Sequence, residues 1–266
     1  MSEPILPNLA ARLEAMVDSL KSDPNITVTI AEIGPKVTTR DIQRAHKAAE
    51  GYLPLGLQEF YQQVGYFKLE WKYTGPSILP EGYDEMRSHN QALYKDWVPQ
   101  GYVNILPITE IFGGWEGSLW FPDDTEEEAE EYDPSDPPYL EEGEKRPESE
   151  PESDGNSWRV AYRHIKPVDY FVPEACAVFI GPKKGRKGKF SDFVAYHYCG
   201  EQLFEMRYTF AEYVERMLVS RGWWYWISSL ARGEDRFEVE AFRGNANRLF
   251  PDIDLGLFVR RLIGSC

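Results

Sequence analysis

The sequence is poor in cysteine and has no long run of apolar residues. Its 266 residues include three cysteines, Cys176, Cys199 and Cys266. A sparse, odd count does not indicate a disulfide framework, so we expect a reducing compartment. No stretch approaches the ~18 consecutive apolar residues that suggest a membrane span. The first residues carry Glu3, Glu14 and Asp18 and lack the basic region that begins a signal peptide. We therefore expect a cytoplasmic protein.

Recognisable catalytic and cofactor motifs are also missing. The sequence contains no GxSxG, HExxH, CxxC or GxGxxG pattern, and such patterns mark nucleophilic, metal and dinucleotide sites. His197 and Cys199 are two residues apart, which on a strand would place them on one face, but two ligands are too few for a metal site. We expect no enzyme activity, no cofactor and no metal.

A basic, glycine-rich stretch, GPKKGRKGKF, spans residues 181–190. A phosphate-binding loop that ended at Gly188 and Lys189 would need Gly at position 183 and Ser or Thr at position 190, where the sequence has Lys183 and Phe190. We expect a hairpin turn with solvated basic side chains. The alternatives are a docking patch for an acidic partner, or transient pairing with the protein's own acidic segment.

Acidic residues are concentrated in one segment. Residues 122–157 contain 16 Asp and Glu against Lys145 and Arg146, a net charge of −14, and the whole chain has a net charge of −15. That charge disfavours general nucleic-acid binding, because phosphates would be repelled. The segment lacks the apolar groups that offset the entropy of ordering. We interpret it as a mobile acidic insertion between two strands; the alternative is that it attracts a basic partner.

Helical periodicity predicts three helices in the first 65 residues. Asn8 is the expected N-cap of the first. Its apolar residues recur at helical spacing, at Leu9, Leu13, Met16, Val17 and Leu20. The second helix should have Thr38 or Thr39 as its N-cap. The third lies within LPLGLQEFYQQVG, where Gly65 is placed to end it.

Alternation of apolar and polar residues predicts strands in the middle of the chain. ITVTIAEIG alternates at Ile26, Val28 and Ile30, and YFKLEWKY alternates from Phe67 to Tyr73. Further strands are expected at VNILPI, GSLWF, WRVAYRHI, CAVFIG, DFVAYHYC and EQLFEMRY. The last two are expected to pair with each other.

The sequence pattern of the C-terminal part predicts further helices. TFAEYVERMLVSRG has Thr209 as its cap, Glu212 at the capping-box position and Gly222 at its end. WWYWISSLARG predicts a very apolar helix whose aromatic residues, 223–226, mostly pack in the core; a protein–protein anchor is the alternative. In the tail after Arg232, GLFVRRLIG has a helical rhythm. Helices, then strands, then helices favour an α+β fold.

Three blocks together resemble the SMI1/KNR4 (SUKH) superfamily. LPLGLQEFYQQVGYFKLEW resembles its opening block, in which a Leu-Pro pair precedes a short helix and the first strand of the sheet. NILPITEIFGGWEGSLWF is similar to the next block, and RYTFAEYVERMLVSRG to the closing helix, with Phe210, Tyr213 and Met217-Leu218 at the family's spacing. The match covers roughly residues 38–222, with extensions on both sides in a single domain of residues 1–266.

The resemblance implies a curved antiparallel sheet flanked by N-terminal and C-terminal helices. Bacterial members are mostly immunity proteins that bind and neutralise a toxin, often a nuclease, and fungal members regulate cell-wall synthesis through protein partners. We therefore expect a non-catalytic immunity protein that occludes a cognate toxin with a basic surface. The alternatives are a scaffold or regulatory protein without a toxin partner, and an enzyme of unrecognised type.

The residues expected to bind the partner are the carboxylates that open the acidic insertion and two residues before it. They are Trp115, Glu116, Asp123, Asp124, Glu126, Glu127, Glu128, Glu130 and Glu131. Complementary charge would speed association with a basic nuclease surface and confer specificity, while a few buried anchors would supply most of the affinity.

Overall fold

The chain forms an open, seven-stranded antiparallel sheet combined with α-helices. The computed structural model describes residues 5–49, 51–76, 98–113, 165–172, 175–181, 188–198, 202–224, 226–231 and 237–261. The strands are β1 (Ile26–Ile33), β2 (Phe67–Tyr73), β3 (Gln100–Ile105), β4 (Ile165–Val172), β5 (Ala175–Ile180), β6 (Phe193–Tyr198) and β7 (Gln202–Thr209). The helices are α1 (Leu9–Ser22), α2 (Thr39–Ala48), α3 (Leu57–Gln63), α4 (Ile108–Gly113), α5 (Phe210–Ser220), α6 (Ser228–Ala231) and α7 (Phe237–Leu249).

Each strand pairs with its neighbour in sequence, so the order across the sheet is β1 to β7. All six pairings are antiparallel, including the predicted pairing of β6 with β7. In the described part of the chain, α1 precedes β1, α2 and α3 lie between β1 and β2, α4 follows β3, and three helices follow β7. The predicted combination of helices with an antiparallel sheet is therefore confirmed.

Strand β1 changes its inward face halfway along because of a β-bulge. The pairing register with β2 shifts between Val28 and Ile30, which leaves Thr29 as an extra residue. Beyond it, Ala31 and Ile33 pack against the core, whereas Ile30 is 36% exposed. The predicted alternation is therefore wrong at Ile30, because one extra residue inverts a pattern of period two.

Helix α1 buries its predicted apolar face, but Asn8 does not cap it with its side chain. The buried residues are Leu9, Leu13, Met16, Val17 and Leu20. Asn8 has φ 51° and makes no side-chain hydrogen bond to the helix. The Leu9 amide donates instead to Gln63 Oε1 of α3, at 2.8 Å. A neighbouring helix thus supplies an acceptor for one of the amides left unpaired at a helix start.

Helix α2 is capped as predicted, whereas α3 ends for a different reason from the one expected. Thr38 Oγ1 accepts a hydrogen bond from the Asp41 amide at 3.2 Å. Helix α3 already ends at Gln63, and Gly65 does not adopt a positive φ. A Cβ at Gly65 would lie 2.1 Å from the carbonyl oxygen of Pro35. Glycine is therefore needed there for close backbone approach and not as a helix terminator.

Strand β2 anchors the centre of the core and alternates as predicted. Its buried residues are Phe67, Leu69, Trp71 and Tyr73. The Trp71 ring lies 6.0 Å from the Trp223 ring and 5.6 Å from the Phe250 ring, in edge-to-face arrangements. Trp71 Nε1 donates to the Arg221 carbonyl oxygen at 2.7 Å. The sheet and the C-terminal segments therefore share one core.

Strands β3 and β4 are joined by side chains as well as by backbone. Their one pair of Cα partners in the described residues is Ile105 with Asp169. Asp169 Oδ1 accepts from the Asn104 amide at 2.7 Å, and Asn104 Nδ2 donates to the Tyr170 carbonyl oxygen at 2.9 Å. Of the predicted strand WRVAYRHI, only Ile165 lies in the described part, where it begins β4.

Helix α5 begins and ends as predicted. Thr209 Oγ1 accepts from the Glu212 amide at 3.3 Å, and the Thr209 amide donates to Glu212 Oε2 at 2.9 Å, which completes a capping box. Beyond Ser220, Arg221 and Gly222 have φ of 53° and 64°. This left-handed pair ends the helix.

The apolar helix predicted over WWYWISSLARG is largely wrong, because among its described residues only those of α6 are helical. Trp223 forms an antiparallel bridge with Gly101 of β3, and the Trp224 amide donates to the Gln100 carbonyl oxygen at 2.7 Å. The backbone of Trp223 and Trp224 is thus paired with β3, and a regular helix cannot begin at these two residues. Trp223 and Trp226 are buried, so their predicted role in the core is confirmed.

In the described residues of the tail after Arg232, α7 is a helix that the sequence patterns did not predict. A 3₁₀ turn, Leu255–Leu257, overlaps the start of GLFVRRLIG and is followed by residues 258–261 without helix. The helix predicted there is therefore wrong over these residues. Side chains of β7, α5 and α7 donate hydrogen bonds to the carbonyl oxygens of residues 257–259. In a helix these oxygens would accept from backbone amides instead.

Candidate partner-binding patch

The nine residues predicted to bind a partner lie outside the described residues, as do the acidic insertion 122–157, GSLWF and most of the basic stretch. They are Trp115, Glu116, Asp123, Asp124, Glu126, Glu127, Glu128, Glu130 and Glu131. What the structure describes is the pair of points where the chain enters and leaves the region that contains them.

These two points lie at the same end of the sheet. Helix α4 ends one residue after Phe112, whose ring lies 5.5 Å from the Phe190 ring. Strand β4 begins at Ile165, the Cα partner of Ile180 in β5. The Ser191 amide donates to the Ile180 carbonyl oxygen at 2.8 Å. The chain therefore leaves the described part, and returns to it, beside residues 188–193.

A surface cluster lies at this end of the sheet, which we name the Asp192 corner. It consists of Tyr52, Leu55, Lys189, Asp192 and Phe193. The Tyr52 hydroxyl and the Leu55 amide both donate to Asp192 Oδ1, the amide at 3.2 Å. Lys189 Nζ lies 4.6 Å from the centre of the Tyr52 ring. The hydrogen bond to Asp192 raises the pKa of Tyr52, and partial burial adds to the effect, so the phenol stays neutral and continues to donate.

Two large apolar side chains are exposed at the Asp192 corner. Leu55 is 50% exposed and Phe193 is 45% exposed. Val194 packs in the main core, and successive residues of a strand point to opposite faces, so Phe193 points away from that core. The corner therefore presents two exposed apolar side chains, Leu55 from the turn before α3 and Phe193 from the start of β6. Exposed apolar side chains bordered by charge could bury surface against another protein, with the charged groups at the rim.

Leu55 is held in place by the glycine that follows it. Gly56 has φ +84°, and a Cβ there would lie 2.9 Å from Ala211 Cβ on α5. Together with the bond to Asp192, this close approach limits the motion of the turn. Leu55 and Phe193 could not be predicted as surface residues, because both lie in sequence patterns that indicate buried elements. The Pro-Leu-Gly turn before α3 is the one signal that could have suggested an exposed leucine.

A buried polar cluster around Asp169 lies inside the core. Asp169 is 1% exposed and accepts from the Asn104 amide and from Tyr213 Oη, both at 2.7 Å. Burial raises the pKa of Asp169 to about 6, although both hydrogen bonds act in the opposite direction. Burial also raises the pKa of Tyr213 and Cys176 well above their ordinary values, with a further contribution from the charge of Asp169. This cluster joins strands, and its burial keeps it from a macromolecular partner.

His197 is the described member of the pair considered as metal ligands, and Cys199 lies outside the described residues. Burial lowers the pKa of His197 to about 4, so the imidazole is neutral at pH 7. Within the part of the chain that the structure describes, no group of three or more His, Cys, Asp or Glu side chains could hold a metal ion.

Comparison with known proteins assigns neither a family nor a function to the chain. No family model matches the chain, and no solved structure matches it. Among the described residues, no helix is both long enough and apolar enough to cross a membrane.

Proposed function

We propose that the protein is a non-catalytic, SMI1/KNR4-like immunity protein that neutralises a cognate toxin by covering it. The observation that carries the proposal is the exposure of Leu55 and Phe193 at the Asp192 corner. It lies beside the two points where the chain enters and leaves the region that holds the acidic insertion. Apolar anchors and a segment of net charge −14 are thus attached at one end of the molecule.

Contacts among the three family-like blocks support the SMI1/KNR4 resemblance. Tyr61 in the first block donates to the carbonyl oxygen of Leu106 in the second. The ring of Phe60 in the first block lies 5.4 Å from that of Phe210 in the third, edge to face. The three blocks therefore share one core, as a single SMI1/KNR4-like domain would require.

The finer features of the resemblance belong to the same proposal. They are a curved sheet flanked by the terminal helices, a core of about residues 38–222 with extensions in a single domain, and a cytoplasmic location. In this mechanism the acidic side chains steer a basic toxin toward the corner, and the two apolar side chains become buried on contact. Occlusion of the toxin's active site needs no catalytic residue in this protein.

Co-expression with the protein encoded by the adjacent gene tests the proposal. We expect that protein to be a toxin, the chain to restore growth, and the two to co-elute as a complex. A double variant, Leu55→Ser with Phe193→Ser, should weaken the complex by roughly tenfold or more, since anchors of this kind typically contribute above 1 kcal/mol each. Ile30→Ser is the matched control, because Ile30 is exposed on β1 at the opposite edge of the sheet.

Absence of both rescue and complex would contradict the immunity function. A complex that the double variant leaves unchanged would instead contradict the role of the corner. Deletion of residues 123–155 tests the acidic segment separately: association should slow and lose most of its salt dependence. A complex formed with a non-toxic partner would favour the alternative, a SMI1/KNR4-like scaffold or regulatory protein.

A further inference from the structure

The C-terminal segment, residues 255–261, is bound to the rest of the chain in the way that proteins bind a separate peptide. Three consecutive carbonyl oxygens of the segment accept hydrogen bonds from side chains of three different elements. The bonds run from Arg216 Nε to Leu257 O (2.9 Å), from Arg243 Nη2 to Phe258 O (2.7 Å) and from Tyr208 Oη to Val259 O (2.5 Å). The donors belong to α5, α7 and β7. Main-chain hydrogen bonds of this kind hold a peptide without regard to its sequence.

Phe258 is the apolar anchor of the segment. It is fully buried, and its ring lies 4.9 Å from the Phe242 ring and 6.0 Å from the Trp226 ring, edge to face in both cases. An aromatic side chain in a pocket of aromatic rings is the usual centre of a peptide-recognition site.

Arg261 occupies a second, polar subsite. Its guanidinium lies 4.0 Å from the centre of the Tyr208 ring and donates to Glu212 Oε1 at 2.7 Å and to the Arg207 carbonyl oxygen at 3.1 Å. The guanidinium of Arg216 is also 4.0 Å from the centre of the Tyr208 ring. A cation–π contact combined with a carboxylate selects arginine over a neutral side chain.

The Arg207 carbonyl that receives Arg261 belongs to a strained bulge. Between the pairs Val194–Tyr208 and Ala195–Glu205, strand β7 has two residues without partners in β6. Arg207, one of the two, has φ 53°. A left-handed non-glycine residue costs about 1 kcal/mol or more, and such strain concentrates at ligand-binding positions.

The two residues between the anchors are not recognised through their side chains. Val259 is 49% exposed, and Arg260 is exposed as well. We propose that the cleft between β7, α5 and α7 is a peptide-binding site with specificity for Phe-x-x-Arg, and that its occupant is the chain's own C-terminal segment. The cleft residues are Tyr208, Glu212, Arg216, Trp226, Phe242 and Arg243. This proposal does not depend on the identification of a toxin.

A labelled peptide with the sequence of residues 255–264, added to the full-length chain, tests the proposal by fluorescence anisotropy. The intact chain should bind it weakly, because a tethered segment competes at an effective concentration on the order of millimolar. Arg261→Glu in the full-length chain should loosen the tethered segment and tighten peptide binding by about tenfold or more. The matched control is Arg260→Glu, which makes the same charge change at the neighbouring exposed position and should leave binding unchanged.

The anchor is tested in the peptide and in the chain. A peptide with Phe258→Ala should bind none of the chain variants, and the full-length Phe258→Ala chain, which vacates the pocket, should bind the unaltered peptide most tightly. If circular dichroism shows that this chain is unfolded, Arg261→Glu carries the test alone, since the Arg261 side chain is 44% exposed. Equal affinity of the peptide for the intact, Arg260→Glu and Arg261→Glu chains, or no binding to any of them, would overturn the proposal.

Discussion

Asp169 should make the stability of the protein depend on pH in a direction unusual for an aspartate. The fully buried carboxyl has a pKa of about 6, against 3.8 for the free side chain, mainly because burial disfavours its charged form. That difference corresponds to about 3 kcal/mol of unfolding free energy. The folded state holds the proton more tightly than the unfolded state does. The Asp169 contribution to stability is therefore fully present below pH 3.8 and is lost as the pH rises through about 6.

Asp169→Asn removes this titration while it keeps the shape of the side chain. The amide oxygen can still accept from the Asn104 amide, and the amide nitrogen can donate to Tyr213 Oη, as a protonated carboxyl would. We expect Asp169→Asn to match the wild type near pH 4 and to exceed its unfolding free energy by up to about 3 kcal/mol at pH 7.5. Asp169→Ala leaves two buried donors, the Asn104 amide and Tyr213 Oη, without acceptors. We expect it to lower the unfolding free energy by ~1–3 kcal/mol for each donor.

The wild-type profile alone cannot report on Asp169, because His197 acts in the opposite direction. Burial lowers the pKa of His197 to about 4, so its contribution to stability is lost as the pH falls from 6.5 through about 4. The informative quantity is the difference between Asp169→Asn and the wild type. Urea unfolding followed by tryptophan fluorescence, at intervals from pH 4 to pH 8, measures it. A difference that stays constant over this range would refute the reasoning.

Three other predictions follow from particular contacts, each checked by urea unfolding. His197→Asn should remove the loss of about 3 kcal/mol of unfolding free energy that His197 causes as the pH falls from 6.5 to 4. If the unfolding free energy of the variant depends on pH as steeply as that of the wild type, the role assigned to His197 is contradicted. Gly56→Ala should cost at least about 1 kcal/mol, because φ is +84° and the new methyl would lie 2.9 Å from Ala211 Cβ; a neutral effect would mean that the turn can move. Thr209→Ala should cost about 1 kcal/mol through loss of the α5 cap, whereas Thr209→Ser should retain most of it, and equal losses would argue against capping.

Elements with one solvent-facing side could be predicted from the sequence. The apolar face of α1 and the alternation of β2 follow from burial on one side, and the capping box of α5 is local in sequence. In each case the periodicity of the backbone and the position of polar residues are enough, because neighbours in the chain supply the deciding contacts.

Segments whose backbone groups bond to residues far away in the sequence could not be predicted. The composition of residues 223–226 is compatible with a helix, but the backbone of Trp223 forms a bridge with Gly101. In the same way, side chains from three elements hold the carbonyl oxygens of residues 257–259. Strand β1 shows a third case, since Thr29 is an extra residue only relative to β2.

At the candidate site too, some features follow from the sequence and others depend on the tertiary structure. The sequence alone determined that nearly all of the net charge belongs to residues 122–157 and that recognisable catalytic motifs are missing, because charge and motif are properties of the chain. Only the tertiary structure decided that Leu55 and Phe193 remain exposed at one corner, where Asp192 holds Tyr52 and the Leu55 turn. Exposure depends on which distant elements cover a side chain, and an apolar residue in a regular pattern carries no mark of being left uncovered.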